Sequence, residues 1–248
     1  MAEPEGHLFL FDLGYAYRVD GGVCLSDITV GDELRAPGSR LMRTSILATL
    51  SDVVGGALAN RAIAGRVPLT VDLAVHCLAP VEVTELTMAG RVIKPGRSTV
   101  VTETWFSERG EERPLALSHA TFVASPNPAD VIEVYGDAFS TQRRLDRPLP
   151  DQLGIRRLQP GVAELDRSAY VTQNSGTIQG GALALLAEVA AESLVAAPLA
   201  GLEIRYLSAV RAGPARATAE VLGAGVVRVE VRDRGNEGRL AALVLFRT

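Results

Sequence analysis

What most restricts the fold of this chain is an internal repetition. Residues 44–63, TSILATLSDVVGGALANRAI, set Leu47, Leu50, Val54, Ala57 and Leu58 at helical spacing on one broad face. Four strand-like runs follow at 69–80, 85–94, 98–108 and 115–124, with KPGR and RGEERP as turn formers between them. One or two further strands are expected before the helix, within residues 8–30. Residues 180–197, GGALALLAEVAAESLVAA, again read as an apolar helix, closed by Pro198. Four runs again follow, at 202–210, 215–223, 226–233 and 240–248.

Subtraction sets the register between the two halves. Leu73-Ala74-Val75 falls on Leu202-Glu203-Ile204 and Arg91-Val92 on Glu220-Val221, both at an offset of 129, while Asp52 falls on Glu188 at 136. An offset constant through three strands marks a duplication, with seven residues fewer between helix and first strand in the second half. The expected organisation is α+β: a first unit over 1–124, a connector over 125–154 and a second unit over 155–248.

Composition removes several alternatives. With 47% apolar and 22% charged residues among 248, the chain can bury a core and is not intrinsically disordered. No run approaches the roughly 18 consecutive apolar residues of a membrane span. The opening MAEPEGHLFL has neither a basic stretch nor an apolar one, so no export signal is expected. Cys24 and Cys77 stand alone and form no disulfide framework, which fits a reducing, cytoplasmic setting. Three scattered histidines and no CxxC argue against a metal site. The net charge is −4, and the densest basic stretch, Arg143 to Arg157, is interrupted by prolines, Asp146 and Asp151. That pattern reads as a solvated linker, and a nucleic-acid partner is not expected.

The helix starts carry the chemistry. The second reads Asn174-Ser-Gly-Thr-Ile-Gln179-Gly180-Gly181, with Glu188 nine residues beyond Gln179. The first reads Arg43-Thr44-Ser45, with Asp52 nine residues beyond Arg43, and Thr70 follows on the next strand. These residues resemble the hotdog thioesterases of the PaaI-like type. Their pattern is an Asn, a Gly and then His-Gly-Gly opening a helix, an acidic residue nine positions after the His, and a Ser or Thr on the strand that follows. The resemblance spans nearly the whole chain as two tandem units, and is weak in the N-terminal residues and the connector. It implies a double hotdog, each unit a long central helix wrapped by an antiparallel sheet. It further implies a cofactor-free acyl-CoA thioesterase of fatty-acid metabolism, acting on an acyl-CoA or acyl-carrier-protein thioester and assembling as a homo-oligomer.

Relatives with one hotdog per chain share each site across a dimer, so the resemblance implies two unlike sites here. Site one joins Asp52 and Thr70 to Asn174, Gln179, Gly180 and Gly181. Site two joins Glu188 to Arg43, Thr44 and Ser45, with no glycine pair and with Leu199 near the position of Thr70. At site one Asp52 acts as general base or as nucleophile, a choice left open. Thr70 positions the water or the carboxylate, Asn174 orients the carbonyl, and the N–H groups of Gly180 and Gly181 form an oxyanion hole at the helix N-terminus. Gln179 replaces the usual His; it can hydrogen-bond but cannot act as acid or base near neutral pH. At site two Arg43 is expected to pair with the otherwise costly buried Glu188; a second working site with Glu188 as its acid is the alternative.

The acyl chain is expected in the apolar gap between the helices. His76 and His119 read as solvated or satisfied strand histidines and Asp72 as outward-facing. Lys94 and Arg97 flank a tight turn, where they would be solvated or would touch the phosphates of coenzyme A. Two other functions remain in view: a non-catalytic acyl-CoA-binding or regulatory protein, suggested by the missing His and glycines, and a hotdog hydratase or dehydratase, which lacks its His here.

Overall fold

The computed structural model describes residues 8–63, 66–127, 136–173 and 175–248. Strands β1 (Tyr15–Asp20) and β2 (Val23–Thr29) form a hairpin ahead of helix α1 (Thr44–Ala62). Then come β3 (Pro68–Cys77), β4 (Glu85–Lys94), β5 (Thr99–Glu108) and β6 (Pro114–Ala124). A short β7 (Ala138–Ser140) and a short helix α2 (Leu149–Leu153) lead to a second hairpin, β8 (Arg156–Gln159) and β9 (Val162–Leu165). Helix α3 (Gly180–Glu192) precedes β10 (Gly201–Tyr206), β11 (Ala215–Gly223), β12 (Val226–Asp233) and β13 (Arg239–Arg247).

Among the described residues the strands make one sheet in the order β7-β1-β2-β4-β5-β6-β3-β10-β13-β12-β11-β9-β8. Apart from β7, the order reads the same outward from the β3–β10 seam in both directions. The seam pairs Leu202 with Val75, Glu203 with Ala74 and Ile204 with Leu73. Ala74 and Glu203 are the residues matched at an offset of 129, so the pairing is centred on one position of the repeat. The offset holds for β3/β10 and β4/β11 but not through a third strand. Thr104 pairs with Gly90, while Val229 pairs with Ala219, the counterpart of Gly90, so the separation on β5/β12 is 125. The β11–β12 turn has four residues fewer than KPGR and its flanks.

Both helices lie on one face of the sheet. Leu47, Leu50, Val54 and Leu58 of α1 are fully buried, each contributing about 1.5–3 kcal/mol of hydrophobic stabilisation. Every residue of α3 from Gly181 to Ala191 is buried, which is why it is apolar on all sides and rich in alanine. It ends at Glu192, short of the expected 197, because the Ser193 hydroxyl donates to Ala190 O at 2.7 Å and accepts the Gly161 N–H at 2.7 Å. β10 stops at Tyr206 where 210 was expected, because Leu207 and Ser208 both turn their N–H groups onto Ala241 O. The β8–β9 hairpin was not anticipated; its Pro160-Gly161 turn was the available signal. Among the described residues no helix is long and apolar enough to cross a membrane.

Candidate active site

Asp52 lies midway along α1, and Thr70 lies near the start of β3, just before a bulge at Val71. The bulge lets Thr70 and Leu73 both face the helix layer although they are three residues apart. Thr70 Oγ1 donates to Asp52 Oδ1 at 2.5 Å. Burial pushes the Asp52 carboxyl up to about 6, with the Thr70 hydrogen bond pulling the other way. A carboxylate of that strength is matched to proton transfer near neutral pH.

The N-terminus of α3 stands opposite. Gln179, 5% exposed, is its N-cap: Oε1 accepts from Gly181 N at 2.5 Å and Ala182 N at 3.2 Å. This corrects the expectation that both glycines offer free donors. The Gly181 N–H is already engaged, and only the Gly180 N–H lacks an acceptor among the described residues. Gly181 is required for a different reason: a Cβ there would overlap Thr49 Oγ1 on α1 and stand 2.9 Å from Thr49 Cγ2. The helices therefore touch at this point and again where Ser45 meets Glu188. The gap between them expected to hold the acyl chain is closed at both places, because Gly181 and the alanines let α3 approach so closely.

A Cβ at Gly180 would stand 3.0 Å from both Cζ and Oη of Tyr206, the last residue of β10. Burial and the neighbouring Asp52 charge both hold the Tyr206 phenol well above its ordinary value, so it stays protonated. Tyr206 thus stands against Gly180, within reach of the Asp52 charge. No motif marks it; the one available signal was its position, 129 residues after Cys77.

At site two Arg43, Thr44, Ser45 and Glu188 come together. Glu188, 1% exposed, sends its longer side chain onto the N-terminus of α1. Oε1 accepts the Thr44 N–H at 2.8 Å and the Thr44 hydroxyl at 2.6 Å, and Oε2 accepts the Ser45 hydroxyl at 2.5 Å. Arg43 Nη1 is 3.5 Å from Glu188 Oε2 but only 2.7 Å from Glu192 Oε1, so its tighter partner is one turn further along α3. Burial and Glu188 together raise the Glu192 carboxyl. Cys77, pushed up to about 11 by burial and by the Glu188 charge, holds the position on β3 that Tyr206 holds on β10. Leu199 packs against the core.

Residues 45–110 match the family model of the thioesterase superfamily. No curated protein matches the chain by sequence. Among solved structures, the 12:0-ACP thioesterase from Umbellularia californica superposes with a TM-score of 0.67 at 11% identity, over 92% of this chain and 98% of that one. An acyl-ACP thioesterase from Bacteroides thetaiotaomicron gives 0.62 at 9% identity, over 91% and 97%. A conserved protein of unknown function with a hot dog fold from Alicyclobacillus acidocaldarius gives 0.54 at 16% identity, over 96% of both chains. The fold is a hotdog fold.

The remaining candidates occupy other parts of this hotdog architecture. Lys94 and Arg97 are exposed at the β4–β5 turn, at the end of the sheet where β3 begins and so at the same end as Thr70. His76 is exposed on the outer face of the sheet, and His119 Nε2 lies 3.2 Å from Glu103. Asp72 also faces outward, 3.4 Å from Arg205. Asn174 lies outside the described residues. Among its described neighbours Gln173 Nε2 donates to Thr177 Oγ1 at 2.8 Å and Gly176 adopts a φ of +75°.

Proposed function

We propose that this chain is a double-hotdog thioester hydrolase with one working site, acting on the pantetheine thioester of an acyl-CoA or an acyl carrier protein. The units are residues 1–124 and 155–248, and the site lies between them. The observation that carries this reading is the contrast between the two helix starts. At α1 the Thr44 N–H holds a carboxylate oxygen of Glu188 at 2.8 Å. At α3 the equivalent N–H, on Gly180, has no acceptor among the described residues, and the carboxylate opposite, Asp52, is one methylene shorter. The chain itself thus supplies an anion for this position at one site, and at the other leaves it open to a substrate oxyanion.

The reaction follows from that arrangement. Asp52 takes a proton from water while the water oxygen adds to the thioester carbonyl carbon. The carbonyl oxygen becomes an oxyanion and accepts the Gly180 N–H. Collapse breaks the C–S bond, and the thiolate leaves with the proton held by Asp52, giving a carboxylic acid and a free thiol. Thr70 keeps the Asp52 carboxylate oriented. Gln179 serves by capping the helix so that Gly180 presents its N–H, a role that needs no ionisable group. Site two is structural: its carboxylate occupies its own anion position.

The test is thiol release from a panel of acyl-CoA and acyl-carrier-protein thioesters by wild type and Asp52→Asn. Release by wild type and its loss in the variant support the reading; release unchanged in Asp52→Asn overturns it. A single turnover in ¹⁸O-water separates base from nucleophile, since a general base sends the label directly into the acid product.

A further inference from the structure

The Gly180 N–H is a single donor, and tetrahedral acyl-transfer intermediates are ordinarily held by more than one. Tyr206 is positioned to supply the second. Its Oη stands 3.0 Å from the Cβ position of residue 180. A Cβ is about 2.5 Å from its own backbone nitrogen, so Tyr206 Oη lies within roughly 5.5 Å of the Gly180 nitrogen. One oxygen accepting two hydrogen bonds of about 2.9 Å needs its donors no more than about 5.8 Å apart. The two donors are therefore close enough to converge on one atom.

Three further observations bear on Tyr206. Its hydroxyl has no hydrogen-bond partner among the described residues, although the ring packs against the core. That donor is therefore free to serve a ligand. Its neighbour Asp52 already accepts the Thr70 hydroxyl. The equivalent residue of the first half, Cys77, lies two positions beyond the buried Val75 as Tyr206 lies two beyond the buried Ile204, so this strand position is on the helix-facing side in both halves. At site two, where Glu188 closes the anion position, that residue is a thiol, a weak donor. Only the open site carries a strong one.

We propose that Tyr206 is a catalytic residue of site one: its phenol O–H donates to the thioester carbonyl oxygen alongside the Gly180 N–H and strengthens that bond as the oxygen becomes an oxyanion. This rests on the thioester hydrolase reading above. It also sets a substrate requirement, because the carbonyl oxygen must lie between Gly180 and the phenol with its carbon toward Asp52.

The test compares wild type, Tyr206→Phe and Asp52→Asn on an acyl-CoA that wild type hydrolyses, together with binding of the matching alkyl-CoA thioether, which lacks the carbonyl. Tyr206→Phe keeps the ring over Gly180 and removes only the donor. The expected result is a loss of about 100-fold in kcat, with thioether affinity unchanged. Wild-type kcat in Tyr206→Phe, with Asp52→Asn inactive, overturns the role of Tyr206 and leaves the hydrolase reading intact. A parallel loss of thioether binding also overturns it, since the tyrosine would then only shape the pocket. Full activity in Asp52→Asn overturns both.

Discussion

Thr70 donates its hydroxyl hydrogen to Asp52 across 2.5 Å, joining the start of a strand to the middle of a helix 18 positions earlier in the chain. The bond stabilises the ionised carboxylate against the burial that raises it to about 6. Thiol release by wild type should therefore rise with pH through about 6 as Asp52 ionises and level off above it. Thr70→Ala removes the lowering influence, so the midpoint should move to higher pH, and Thr70→Ser should restore it. The pH profile of kcat/KM reads this directly; an unmoved midpoint in Thr70→Ala would remove Thr70 from the site.

The same shift has a consequence for stability. Folded Asp52 holds its proton up to about 6, whereas the unfolded chain releases it near 3.8. Between those values the folded state binds more protons, so stability falls as pH rises through the window. The ionised carboxylate costs the fold at most about 3 kcal/mol above pH 6. Asp52→Asn should accordingly melt higher than wild type at pH 7.5 and at nearly the same temperature at pH 3.5. A neutral-pH melting point below wild type would show that Asp52 stabilises the fold.

Gly180 and Gly181 should respond differently to alanine. At 181 the added methyl meets Thr49 and the capping Gln179, both buried, so Gly181→Ala should cost about 1–3 kcal/mol of stability by overpacking. At 180 the three atoms nearest the methyl all belong to the end of the Tyr206 ring, at 3.0–3.2 Å, so Gly180→Ala should cost less stability than Gly181→Ala while losing turnover. Denaturant melts set beside kcat separate the two, and equal stability losses would contradict the packing described.

Site two should matter to folding more than to turnover. Glu188→Ala removes the acceptor for Thr44 and Ser45 and leaves Arg43 with Glu192 alone, a loss of roughly 3 kcal/mol for a broken buried network. The kcat of the folded variant should stay within about two-fold of wild type. A collapse in kcat with the stability intact would make Glu188 a second catalytic acid.

Much of the fold was legible because periodicity is local. The helical spacing in 44–63 and the alternation in the eight long strand runs follow from side chains that must face one core. The matched positions Ala74 and Glu203 meet at the centre of the seam. The short strands escaped notice: β7, β8 and β9 have three or four residues each, too few for a period to show. The helix end at Glu192 escaped too, because Ser193 stops it through a bond to Gly161, a residue distant in the chain.

Of the candidate site, the sequence alone determined the inventory: a carboxylate nine residues into each helix motif, a glycine pair at one helix start and none at the other, and a hydroxyl on one strand. Tertiary structure decided what each does. Only in three dimensions does Glu188, one methylene longer than Asp52, reach the Thr44 N–H and close its site. Only there does Gln179 take up the Gly181 N–H and Tyr206 come to rest on Gly180. These outcomes depend on how elements far apart in the chain pack against one another, and residue spacing along a sequence carries no information about that packing.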